Sequence, residues 1–294
     1  MPYREHLIEC PDGRTLEAAT LGHPSGHTIF FHHGSPGSTL LVQDFESFME
    51  YGNFFFVAMS RAGYGGSSRL EGRHVGSIVG DVTTVLDFFH RDSYVAVGRS
   101  GGGPHALACA ALDAPRCLGA VTLASVAPND ADFDWTEGMG PENLEEFALA
   151  KAGGPPFEEF IATVGASCAE VSEQNIIELF GGLLPDVDKA VLANDRVRQL
   201  LAAGLRHGFL NGWRGYFDDD VAFFSAWGFD VTKIAVPVAV WYGDADLMVP
   251  PAHGAWLASH IPSATTHHYP RDGHLSIAAG HVEELALGLV GLFA

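Results

Sequence analysis

Positive charge is scarce in this chain. Lysine and arginine together number 16 against 36 aspartates and glutamates, a formal net charge of -20. Such a field repels phosphate backbones and argues against a nucleic-acid partner or an anionic membrane surface. The charge itself reads as an acidic solubility shell. Cysteine is equally sparse. Cys10, Cys109, Cys117 and Cys168 show no metal-ligand spacing, and four in 294 residues read as reduced thiols of a cytoplasmic protein, not as a disulfide framework. No apolar run approaches a membrane span. The opening "MPYREHLIEC" is charged and lacks the apolar stretch of a signal peptide. Internal repeats and low-complexity tracts are missing too. What remains is ordinary globular material. A hydrophobic fraction of 47% over this length buries a full core and suits one large α/β domain, or such a domain with a sizeable insertion.

Strand-like and helix-like stretches alternate in the first part. Tyr3–Glu9 and Thr15–Leu21 flank "PDG", a hairpin turn signal. "HTIFFHHG" and "NFFFVAMS" are continuous apolar runs, the pattern of parallel strands buried on both faces. "GSIVGDVTTVLDFFH" has helical spacing, then come "SYVAVG", a helix over Gly101–Leu112 and the strand "CLGAVTLASVA". This rhythm predicts a mostly parallel, doubly wound α/β sheet. It breaks near Pro128. Residues 129–220 carry helical signals and no good strand, so they are expected to form a helical lid inserted into a core made of residues 1–128 and 221–294. Strand and helix patterns resume with "VPVAVWYG", "PAHGAWLASHI", "ATTHHYP" and "HVEELALGLVGLF". A cleft between sheet and insertion is the expected ligand site.

The glycine-rich turn "VGRSGGGPHALA" has three possible uses. A phosphate loop requires lysine after its second glycine, and Pro104 stands there. A dinucleotide turn is matched by Gly101, Gly103 and Ala106, with Asp130 beyond the next strand. A nucleophile elbow, G-x-S-x-G, is matched by Gly98-Arg99-Ser100-Gly101-Gly102. The elbow bends the backbone sharply, so its flanking positions must be small. It also aims the serine hydroxyl at the start of the next helix, whose free N–H groups favour a developing oxyanion. Pro104 fits the first helical turn.

A serine hydroxyl needs a base, and the base needs an orienting acid. "WYGDADLMVP" follows an apolar strand and offers Asp244 and Asp246. "PRDGHLSI" follows the next strand and offers His274. Of the other histidines, His267 and His268 lie inside a strand. His207, His253, His260 and His281 read as helix surface, and His105 is close enough to Ser100 to line the site. Gly101 N–H is one oxyanion donor. The second is expected from "HHGSPGS", where proline has no N–H and Ser35 is the choice.

In this order, "HHGSPGS", "SRAGYGGSS", "VGRSGGGPHALA", "WYGDADLMVP" and "RDGHLSI" resemble the α/β-hydrolase superfamily, in its lid-bearing branch with esterases, proline iminopeptidases and C–C hydrolases. The resemblance spans His32 to Ile277 and leaves the lid unmatched. It selects Asp246 over Asp244, since the family's acid ends G-x-x-D before V-P. The family's usual D-R-P-G-Y-G-x-S reads Ser60-Arg61-Ala62-Gly63-Tyr64-Gly65-Gly66-Ser67 here, in a loop normally structural. The implied activity is a serine hydrolase acting on a carboxylic ester of a small or medium apolar molecule, through an acyl-enzyme on Ser100. It needs no metal and no organic cofactor. A serine nucleophile disfavours the aspartate-dependent dehalogenase and epoxide hydrolase chemistries.

Two alternatives stay open. One is an iminopeptidase-like aminopeptidase whose lid acids, Glu145, Glu146, Glu158 or Glu159, hold a substrate amine, although such pairs more often face solvent. The other is a non-hydrolytic receptor or a cyclase on the same fold. His105, Trp135, Phe147, Phe180, Trp213 and Phe217 are candidates for the substrate pocket.

Overall fold

The computed structural model describes residues 3–293. Eight strands form one sheet in the order β1-β2-β4-β3-β5-β6-β7-β8. β1 (Arg4–Glu9) and β2 (Thr15–Gly22) make the antiparallel hairpin expected around "PDG". β2 also runs antiparallel to β4 (Phe54–Met59). Every later pairing is parallel, through β3 (His27–His32), β5 (Tyr94–Arg99), β6 (Cys117–Leu123), β7 (Val238–Gly243) and β8 (Ala264–Tyr269). The apolar runs account for the centre of the sheet: all of β4, and all of β3 but His27, is buried. β8 is the parallel edge, and its polar side chains are accordingly exposed or half-exposed. His267 still covers part of the sheet by stacking on buried Trp241, with ring centroids 4.2 Å apart.

Helices cover the sheet. α1 (Ile78–Phe88) packs on α2 (Gly103–Leu112), and α2 lies on β5 and β6. A 3-10 run over Thr39–Glu50 was not expected from the sequence. Its Leu41, Val42, Phe45 and Phe48 are buried, and Phe45 meets Phe31 and Phe56 at ring distances of 4.9 Å. Burying one such ring contributes about 1.5–3 kcal/mol, enough to hold a segment whose 3-10 bonds are individually poor.

Among the described residues no strand forms between β6 and β7. That interval holds α3 (Pro141–Ala152), α4 (Pro155–Ala169), the short α5 (Ile176–Phe180), α6 (Asp186–Val191), α7 (Asp195–Gly208) and α8 (Arg214–Phe223). Local signals set their ends. Pro141 and Pro155 open α3 and α4, Gly153 at φ 68° ends α3, and the Asn194 side chain caps the Arg196 N–H of α7. α8 runs through residue 220, where a boundary was expected. α9 (Pro251–His260) packs on β7 and β8, followed after β8 by α10 (Ser276–Ala279) and α11 (Val282–Gly291). No helix among the described residues is long and apolar enough to cross a membrane.

Two histidines expected on helix surfaces are placed otherwise. His253 is buried, accepts the Ala127 N–H at 3.0 Å and donates to the Trp135 carbonyl at 2.9 Å. Burial pushes its pKa down to about 4, so it stays neutral and struts the chain where it leaves the sheet. His207 bonds Glu17, a contact that raises its pKa.

Strand order positions the site. The chain passes from β3 outward to β4, then returns to place β5 on the other side of β3. Connections leave in opposite directions at this switch, and the crevice beyond the strand ends is where ligands bind in open α/β sheets. The segments following β3 and β5 begin at His33 and Ser100.

Candidate active site

Ser100 sits at the end of β5 with φ 55°, a left-handed conformation costly for a residue with a side chain. The bend is possible because the residues two before and two after it, Gly98 and Gly102, lack side chains. A Cβ on Gly98 would lie 2.2 Å from the Gly102 carbonyl oxygen, and one on Gly102 would lie 2.2 Å from that of His32. Both positions demand glycine by close approach. Ser100 through Gly102 form a 3-10 turn that runs into α2, so Gly101 N–H stands where a helix leaves its donors free.

Asp246 and His274 meet in the loops after β7 and β8. His274 Nδ1 donates to Asp246 Oδ2 at 2.8 Å, and both side chains are buried. Asp246 Oδ1 accepts the N–H groups of Met248 and Val249 at 2.8 Å each, which fixes the carboxylate plane. With Nδ1 donating, Nε2 is the nitrogen free to accept a proton. Asp244, the other acid of that loop, is exposed and faces His268 at 2.7 Å. Ser100 and His274 line one small cavity of about 70 Å³ with Ser35 and Gly34. A direct Ser100–His274 hydrogen bond is not formed among the described residues.

The loop after β3 is held from behind by Arg61, which is almost completely buried. Its guanidinium donates to the carbonyls of His33 and Gly34, to Ser35 Oγ, and to Asp219 of α8 at 2.6 Å. A trans peptide points its C=O and N–H in opposite directions. Holding the Gly34 carbonyl on the Arg61 side therefore turns the Ser35 N–H the other way. Ser35 Oγ itself donates to Asp219, and Tyr64 Oη and Arg73 bond the same carboxylate. Burial would raise the pKa of Asp219, but Arg61 and Arg73 outweigh it and hold the group well below the usual carboxylate range. His33 accepts the Arg61 N–H on Nε2 and donates from Nδ1 to Gly34 O; burial and Arg61 keep it neutral.

A larger cavity of about 340 Å³ opens beside Ser100, Gly101 and Ser35. Phe147, Phe160, Val164, Phe180, Leu205 and Phe223 supply apolar wall, mainly from the helices between β6 and β7. Phe147 and Phe180 stand where a pocket role was expected; four other candidates do not. His105 is buried against Val75 O, lies 3.7 Å from Asp219, and does not line the cavity. Burial takes its pKa down to about 4. Trp135 donates its indole N–H to Ala127 O and packs edge-on against Phe147 and His253. Trp213 and Phe217 pack within the helical insertion against Phe157 and Arg214. These large side chains fill the space between helices, which is what their sequence spacing could not distinguish from lining a pocket.

Four acids line this cavity, Glu142, Glu145, Glu146 and Asp220; Glu145 and Glu146 were candidates for holding a substrate amine, Glu142 and Asp220 were not. Glu146 and Asp220 are buried in the cavity wall, with Tyr216 Oη donating to Glu146. Burial, and then Glu146 beside it, pushes Asp220 well above the carboxylate range; burial also raises Glu146. No basic side chain lines the cavity. Glu158, by contrast, faces solvent and pairs with Arg214. Among the described residues no three histidine, cysteine, aspartate or glutamate side chains are grouped to hold a metal ion.

The Arg61–Asp219 pair gives a direct test. Asp219→Asn leaves two buried guanidinium groups short of a counter-charge, and losing one partner of a buried pair costs about 3–5 kcal/mol. The expected result is a fall of that size in unfolding free energy, read by urea titration. A loss under about 1 kcal/mol, the range of exposed pairs, would contradict the assignment.

Comparison with known proteins agrees with this architecture. An esterase from Exiguobacterium antarcticum superposes with a TM-score of 0.69 at 16% identity, over 99% of this chain and 100% of its own. An enol-lactonase from Burkholderia xenovorans LB400 gives 0.65 at 18%, over 99% of each chain. The esterase RhEst1 from Rhodococcus sp. ECU1013 gives 0.63 at 18%, over 99% and 100%. No curated protein matches the chain. The model of the alpha/beta hydrolase fold matches residues 27–280, and on that match, with the sheet order and the strained serine after β5, the chain belongs to the alpha/beta hydrolase fold family.

Proposed function

We propose that the protein is a serine hydrolase that cleaves a carboxylic ester, or a related acyl bond, of a small to medium apolar molecule. The observation that carries this reading is the buried Asp246–His274 hydrogen bond, with His274 sharing a cavity with strained Ser100. Ser100 Oγ attacks the carbonyl carbon while His274 Nε2 takes its proton. Asp246 holds the ring in the tautomer that leaves Nε2 free and stabilises the imidazolium as it forms. The N–H groups of Ser35 and Gly101 receive the developing oxyanion; removing one such donor typically costs about 2.7–4 kcal/mol of barrier. His274 returns the proton to the leaving alcohol, and water then releases the acid by the reverse sequence. The aromatic wall over Ser100 suits an apolar acyl group. The helical segment 129–220 serves as the lid that shapes this pocket.

A second reading is favoured by Glu146 and Asp220. Both are buried, and with Glu142 and Glu145 they make four acids in a cavity without basic residues, which would suit a substrate carrying an amine, as in an iminopeptidase-like enzyme. Hydrolysis of p-nitrophenyl esters beside aminoacyl arylamides separates the two. Ester turnover is expected to dominate, to vanish in Ser100→Ala, and to fall about 10⁴-fold in Asp246→Asn, where the wrong tautomer is favoured. Dominant arylamide cleavage would overturn the ester assignment. Ester turnover that survives Ser100→Ala would overturn the mechanism, and loss of all turnover in the wild type would favour a non-hydrolytic receptor.

The acid pair also sets a pH dependence. Asp220 has a folded pKa above its unfolded value, so the folded state prefers its proton. Its contribution to stability is full below the unfolded pKa of about 4 and is lost as pH rises through the folded value. Asp220→Asn keeps the neutral shape and cannot ionise. Thermal melts from pH 4 to 8 should show a flatter profile for Asp220→Asn, with a relative gain at the upper end. A parallel profile would show that Asp220 ionises freely.

A further inference from the structure

We infer that Asp188, contributed by α6 of the helical insertion, is a positioning residue for the general base, an inference that rests on the role proposed for His274. Asp188 is completely buried. Its Oδ2 accepts the His274 N–H at 2.7 Å, and its Oδ1 accepts the N–H groups of Leu275 at 3.1 Å and Ser276 at 2.9 Å. Three successive donors at the start of α10, which would otherwise lack acceptors, converge on one carboxylate. The neighbouring Lys189 turns outward to Asp186 at 3.6 Å, and no ion pair to Asp188 forms among the described residues. Its charge is met by the backbone of the His274 loop.

The fit is close on the loop side as well. A Cβ on Gly273 would lie 2.6 Å from Asp188 Oδ2. Only glycine lets the chain fold over the carboxylate, and Gly273 N–H is turned to Ser276 Oγ at 2.7 Å. The base is therefore fixed at two places. Asp246 sets the tilt and tautomer of the ring, while Asp188 sets the position of the backbone from which the ring projects. Asp188 does not line the cavity and touches no substrate. Its effect passes through His274, and it makes the placement of the base depend on an element outside the sheet.

A neutral amide in place of the carboxylate can accept through one atom only, and its NH₂ opposes the loop's donors. Asp188→Asn is expected to lower kcat for a p-nitrophenyl ester about 100-fold, the effect of a misplacement near 1 Å, with KM held within about threefold. The rate of Ser100 phosphonylation by a fluorophosphonate should fall in parallel, since it uses the same base. The low-field proton resonance of His274 Nδ1–H should shift or broaden. Gly273→Ala approaches the same contact from the core side and should repeat the kcat loss, so the inference stays testable if Asp188→Asn does not fold. A folded Asp188→Asn or Gly273→Ala with wild-type kcat, labelling rate and resonance overturns it, whatever happens to the melting temperature. Failure of the wild type itself to label would sink the hydrolase reading instead, and the His274 resonance would still decide whether Asp188 positions that ring.

Discussion

A guanidinium and a carboxylate withdrawn from water hold together usefully only when their remaining donors and acceptors also find partners. Around Arg61 and Asp219 that condition is met by the loop after β3. Each guanidinium nitrogen of Arg61 has an acceptor: Nε on Asp219, one terminal nitrogen on His33 O, the other on Gly34 O, Ser35 Oγ and Asp219. Asp219 in turn takes Arg73, Tyr64 and Ser35. The cluster ties three segments distant in sequence. It sets the peptide between Gly34 and Ser35 in one orientation, so the proposed oxyanion donor is prepared before any substrate arrives. Preorganisation of this kind is what makes fixed dipoles effective, since they need not reorganise during reaction.

The three consecutive acids of α8 illustrate how environment divides identical side chains. Asp218 forms an ion pair with Arg69 at 2.8 Å, Asp219 is held ionised by Arg61 and Arg73, and Asp220 is driven toward its protonated form beside Glu146. Successive helix positions point about 100° apart, so a run of three reaches three separate surroundings. One aspartate braces a sheet loop, and its neighbour faces the cavity. With Asp188, which grips the loop of His274, the helical segment between β6 and β7 does more than wall the cavity. It supplies buried carboxylates to both loops that flank Ser100.

Much of the sheet was legible because its signals are local. Continuous apolar runs mark buried parallel strands, "PDG" marks a hairpin, and G-x-S-x-G after a strand marks a bend where side chains cannot fit. That Ser100, His274 and an acid of "GDAD" each follow a strand was legible for the same reason, whereas the choice of Asp246 over Asp244 came from the family resemblance. Gly103 shows the limit. The sequence demands no role for it beyond close helix–sheet packing, and in the structure a Cβ there would lie 2.0 Å from Ser125 Oγ, just past the end of β6. The pocket walls were less legible. Trp135 and Phe147 belong to the same part of the chain and are both aromatic and buried, yet only Phe147 faces the cavity. Arg61, Asp188 and Asp219 act through partners at sequence distances of 26 to 184 residues, which no local period encodes. "DDD" within a helical stretch was the one available signal for Asp219, and nothing in "PDVDKA" marks Asp188.

Everything proposed for this site requires Ser100 to be its nucleophile. The most direct measurement is peptide mapping by mass spectrometry after reaction with a fluorophosphonate. One adduct per chain is expected, on the peptide containing Ser100. An adduct confined to another residue, or an unmodified chain after prolonged exposure, would contradict it.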